Sequence, residues 1–158
     1  MAIVNSQTIL PILQAVQTIC WPGTRIQPTN VYVQQTYKMA AGPMPAINVV
    51  SGRQRRQPDS YASWIGGVPV SVRLYDFWEQ QNKSIDDIWA ALDADREIVI
   101  ANLSSNPSLV VGNVPLATSI QHLDAPGYAE GIVKETIGID LVLCEVTFAA
   151  GLLPYGVP

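Results

Sequence analysis

At 158 residues the chain has the size of one domain and can bury roughly 70% of the surface that its unfolded form exposes, so a single domain over 1–158 without a linker is expected. Hydrophobic residues make up 48% and charged residues only 14%, against about 25% charged in an average soluble protein. That is too little charge to cover the outside, which predicts apolar surface hidden by partners. A membrane span is not expected, because the most apolar stretch, Ile137 to Leu153, is interrupted by Asp140 and Glu145. A secretory leader is not expected either, since the first positive residue is Arg25. Cys20 and Cys144 are too few for a disulfide framework, lack CxxC spacing and read as buried thiols of a reducing compartment.

The charge is sorted along the chain. Residues 1–60 carry Arg25, Lys38, Arg53, Arg55 and Arg56 against Asp59, a net +4, while residues 61–158 are net −8. If the two signs occupy different faces of the fold, each copy attracts the opposite face of another copy, a head-to-tail contact that can close into a ring.

In chain order, Asn5 or Ser6 caps a helix whose apolar positions Ile9, Ile12, Leu13, Val16, Ile19 and Cys20 share one face. Pro11 falls near its first turn, and Trp21-Pro22-Gly23 stops it. Val31 to Tyr37 and Ala46 to Val50 read as strands separated by a Gly42-Pro43-Met44-Pro45 break. A long polar connection, 51–67, follows. In the next strand Val68, Val70, Val72 and Leu74 alternate with Pro69, Ser71, Arg73 and Tyr75, the period of a sheet with one buried face. These strands and their connection form a long β-hairpin with an arginine-bearing tip.

Ser84 opens a second helix, with Asp86 and Asp87 placed where the helix dipole favours negative charge. Its buried stripe is Ile85, Ile88, Trp89, Leu92, Val99 and Leu103. Its other face is acidic: Asp86, Asp87, Asp93, Asp95 and Glu97 against a lone Arg96. Asn106-Pro107 ends it, and Gly112-Asn113 precedes a strand from Val114 to Leu123. Asp124 to Gly131 is turn-rich. The last strand, Ile137 to Phe148, is apolar on both sides and therefore central or covered by a neighbouring subunit. Residues 149–158 form an apolar tail rich in Pro and Gly. The layout predicts an α+β fold: an antiparallel sheet of about four to five strands with two main helices packed on one face and a long β-hairpin loop.

Catalytic chemistry is sparse. His122 with Asp124 offers at most two metal ligands where three or four are needed. Neither a GxSxG elbow nor a polar Cys–His pair exists, and Gly66-Gly67 is not followed by the residues of a phosphate cradle. The acids of the second helix read as solvated surface, not as a hydrolytic pair. No cofactor, metal or enzymatic activity is expected. The strongest positive feature is Arg53-Gln54-Arg55-Arg56, flanked by Tyr61 and Trp64, since arginine with aromatics typifies protein interfaces. Nucleic acid is the rival target for these arginines, but three of them on a chain of net charge −4 make a small footprint.

From Val68 to Phe148 the chain resembles the tail terminator family of long-tailed bacteriophages. The resemblance is carried by VPVSVRLYDFW, the capped helix SIDDIWAALDADREIVIANL, the break SSNPSLVVGN, the strand VPLATSIQHL and the final strand GIDLVLCEVTF, and the N-terminal helix fits as well. GLLPYGVP has no counterpart in it. The resemblance implies a non-enzymatic homohexameric ring, found in the virion neck and in host cytoplasm during assembly. It would cap the tail tube protein and present a surface to the head-tail connector, with DNA passing through without specific binding. Arg53, Arg55, Arg56, Tyr61 and Trp64 then belong to a subunit or partner interface, and the acidic helix face to a channel or partner face. The alternatives are another phage neck or tail-completion protein, sharing the structural role but not the position, and a nucleic-acid-binding module.

Overall fold

The computed structural model describes residues 6–34, 43–51, 67–77, 85–117, 119–121, 131–134 and 140–151. Among the described residues two helices, α1 (Ser6–Cys20) and α2 (Ile85–Ser104), accompany six strands: β1 (Val31–Val33), β2 (Ala46–Ser51), β3 (Gly67–Phe77), β4 (Ile120–Gln121), β5 (Gly131–Lys134) and β6 (Asp140–Gly151). The sheet runs β1-β2-β3-β6-β4, with β5 also pairing to β6. The expected α+β class stands. The sheet is mixed, however, because β1 pairs parallel with β2, Val31 opposite Ile47. A parallel neighbour needs a crossover of about a dozen residues, and residues 34–45 are long enough to supply one.

Strand period places the core. Ile47 and Val49 of β2 oppose Leu74 and Val72 of β3, and these in turn oppose Cys144 and Val146 of β6, with Phe148 and Ala150 continuing the row beside Val70 and Val68. All of these are buried in one cluster with Ile12, Leu13, Val16 and Cys20 of α1 and Ile88, Leu92, Val99 and Leu103 of α2. Both helices thus cover one face of the sheet, as their apolar stripes require. Burying each Leu or Ile side chain contributes about 1.5–3 kcal/mol relative to leaving it in water. The β2–β3 hairpin and the central position of β6 also match expectation.

Four boundaries differ from the sequence reading. Pro11 lies inside α1, beyond its first turn, where it removes the N–H that would bond the Gln7 carbonyl. Of the strand expected over Val114 to Leu123, the described residues form only Ile120–Gln121. Gly112 and Asn113, both at positive φ, instead close a tight turn in which Val111 and Val114 exchange N–H···O bonds of 3.1 Å; two consecutive positive φ values are the requirement of a type I′ turn. The last strand, described over Asp140–Gly151, extends beyond Phe148 to Gly151, which pairs with Gly67, so the tail expected over 149–158 begins inside the sheet. β5 was not foreseen.

Candidate functional site

The exposed charge of this molecule is set by what its folding neutralises first. α2 places Ile88, Leu92, Asp95, Val99 and Leu103 on its core side, at steps of three and four residues. Asp95 is thus on the buried stripe, 2% exposed. This corrects its assignment to the acidic face. Asp76 is placed by the same logic in the sheet, where it follows Val68, Val70, Val72 and Leu74 in the inward alternation of β3 and is fully buried.

Both carboxylates converge on Arg25, which follows the turn that ends α1. Its backbone N–H donates to Asp95 Oδ1 at 3.1 Å and its Nε to Asp95 Oδ2 at 2.9 Å. Its Nη1 and Nη2 each donate to Asp76 Oδ2 at 3.3 Å. One guanidinium fork therefore ties the α1 turn, the end of β3 and the middle of α2 together, using the planar donor set that a lysine lacks. A buried carboxylate is tolerable only when paired in this way. Arg25 was counted among the cations of the positive front half; its charge is instead consumed internally by acids of the negative half.

The opposite side of α2 keeps its charge in water. Asp86, Asp87, Asp93 and Glu97 are exposed, and Asp86, Ala90, Asp93 and Glu97 recur at steps of four, three and four along one row. Asp93 and Glu97 have side chains 63% and 68% exposed. Arg96, by contrast, lies down on the protein. Its Nε donates to the Glu145 carbonyl of β6 at 3.4 Å, and its Nη1 stays 3.8 and 3.7 Å from Asp93 and Glu97.

On the sheet face turned away from the core cluster, Arg73 of β3 stands directly opposite Glu145 of β6, with Nε 2.9 Å from Oε1. The N–H is not aligned on that oxygen, so this is an ion pair more than a hydrogen bond. Asn48 and Ser71 on the same face are buried, and the Ser71 hydroxyl has no hydrogen-bond partner among the described residues. The three arginines that the structure describes, Arg25, Arg73 and Arg96, thus each lie against a carboxylate or a backbone carbonyl.

Beside the acidic row, between α2 and β6, is a cavity of about 250 Å³ lined, among the described residues, by Trp89, Ala90, Asp93 and Cys144. Trp89 was placed on the buried stripe; it packs against the core cluster but is only partly buried. Cys20 and Cys144 are both buried, and burial pushes the Cys20 thiol up to about 12, which suppresses the thiolate that nucleophilic or redox chemistry needs. Among the described residues no group of three or more His, Cys, Asp or Glu side chains could hold a metal ion, and no helix is long and apolar enough to cross a membrane.

Arg53, Arg55, Arg56, Tyr61 and Trp64 lie outside the described residues, as do His122 and the capping residues Asn5 and Ser84. Sequence reasoning missed the Arg25–Asp76–Asp95 cluster, although a signal for both acids was present. Asp95 is three residues after Leu92 and four before Val99, and Asp76 extends an inward alternation. No protein-family model matches the chain, and no curated protein is significantly similar to it.

Proposed function

We propose that this protein is a structural subunit that assembles with copies of itself into a ring, in the role of a tail terminator of a long-tailed bacteriophage. In that role it caps the completed tail tube and offers a surface to the head-tail connector. The observation that carries this reading is the uneven exposure of charge. One flank of α2 keeps Asp86, Asp87, Asp93 and Glu97 in water, while the cations Lys38, Arg53, Arg55 and Arg56 sit together in a separate stretch of sequence. Opposite signs on separate parts of identical copies favour head-to-tail contact, and a heterologous contact of suitable rotation closes. The low total charge supports the same reading, because surface that is not charged must be covered. An acidic row facing a central channel would let DNA pass without adhering, since like charges repel at short range.

The test is mass in solution by sedimentation velocity, followed by particle imaging for a closed ring with a central hole. Alanine at Arg53, Arg55 and Arg56 together is expected to shift the protein toward monomer at physiological salt. A wild-type protein that stays monomeric at every concentration refutes the reading. Salt-dependent binding of short duplex DNA, lost in the same triple variant, would favour a nucleic-acid-binding module instead. Cross-linking to tube subunits as against connector subunits separates a terminator from other neck or tail-completion proteins.

A further inference from the structure

We infer that the groove of Trp89, Ala90, Asp93 and Cys144 on the flank of α2 receives an arginine side chain from the Arg53-Gln54-Arg55-Arg56 segment of a second copy. This rests on the self-assembly just proposed and names its acceptor. An acidic row alone says little, because charged helix faces are ordinarily just solvated. Three further observations single out this point on the row.

First, the row is indented here. At about 250 Å³, the cavity is large enough for a long side chain and far exceeds what one water requires. Second, its lining suits a guanidinium. An indole is the best aromatic partner for a cation, and arginine, which is more weakly hydrated than lysine, can stack on it while donating to a carboxylate. Trp89 supplies the ring and Asp93 the carboxylate, one helical turn apart. Third, Asp93 has capacity to spare. Its side chain is 63% exposed, and Arg96 approaches it only to 3.8 Å, beyond hydrogen-bond reach. The occupant follows from charge complementarity: the chain has only nine Lys and Arg residues, three of them in this one four-residue segment.

The contact is heterologous, one segment entering one groove, and that makes it testable by charge reversal. Asp93→Arg spoils the groove and leaves the segment. Replacing Arg53, Arg55 and Arg56 by Ala removes the charge of the segment and leaves the groove. Each variant alone is expected to sediment as monomer. An equimolar mixture is expected to form heterodimers and stop there, because each mixed pair contains one intact groove and one intact segment. Asp93→Asn, which removes the charge with little change of shape, should raise the assembly dissociation constant about tenfold, the worth of one charge-assisted hydrogen bond. Unchanged circular dichroism and melting temperature establish that the exposed position tolerates each change.

If Asp93→Arg and Asp93→Asn assemble as wild type does, the groove assignment is overturned and self-assembly stands. A mixture that remains monomeric overturns it equally. A wild-type protein that never assembles removes both ideas together.

Discussion

Asp93 and Asp95 are two residues apart on one helix, and they have opposite fates. Asp95 faces the core, is 2% exposed, and holds Arg25 through two bonds of 2.9 and 3.1 Å. Asp93 faces water and only loosely approaches Arg96. The same residue type thus serves as an internal clamp in one place and as presented charge in the other. The difference lies in the helical phase alone. Net charge per segment therefore misjudges the surface, because the positive front half loses Arg25 to acids of the negative half. On α2 the charge that another molecule meets is Asp86, Asp87, Asp93 and Glu97, with Asp95 withdrawn into the fold.

The sharpest way to break this comparison is to truncate both aspartates. Asp95→Ala leaves the Arg25 backbone N–H without its acceptor and Asp76 sharing a weakened partner. It should cost about 2–3 kcal/mol, near the low end for a broken buried pair because the Arg25 side chain is 37% exposed. Asp93→Ala should change stability by less than about 0.5 kcal/mol. Urea denaturation of the two variants decides it, and equal costs would dissolve the distinction between clamp and presented charge.

A buried group without a charged partner sharpens the contrast from another side. The Cys20 thiol is held protonated up to about 12 in the folded protein against 9.0 for its ordinary value. Between pH 9 and pH 12 the unfolded chain releases this proton and the folded chain keeps it, so this group's contribution is intact below pH 9 and declines above it. The slope approaches about 1.4 kcal/mol per pH unit. A Cys20→Ala variant should lack that component in chemical denaturation measured across this range.

A comparably small effect belongs to the first turn of the exposed row. Asp86 stands in the first turn of α2, where its charge favours the helix dipole, so Asp86→Asn should cost about 0.5 kcal/mol and less at high salt. Thermal melts at low and high salt check both the size and the screening.

Much of the fold was legible because its longest elements are strongly periodic. α1 and α2 declare themselves by three-and-four spacing, and Val68 to Leu74 by strict alternation. The strand beginning at Val31 was legible, but its parallel pairing was not, since the direction of pairing depends on how the chain crosses over. β4, with two residues, is set by its neighbour Ala149–Ala150 and not by any propensity of its own. The acidic face was half legible. Reading Asp95 by its charge placed it outside, whereas reading it by its position between Leu92 and Val99 would have placed it inside. Arg25 gave no local sign of partners 51 and 70 residues away.

The central strand β6 also fixes an order of events. It pairs along the full eleven residues of β3, and it supplies the row against which β4 and β5 align. During synthesis, β3 must therefore wait with one edge uncovered while more than sixty residues are added, from Asp76 to Asp140. An exposed strand edge is a template for any other chain. Ribosomes stalled before residue 140 would release fragments that stick to one another, and a chaperone that shields the β3 edge would raise the yield of folded protein more than one that shields either helix.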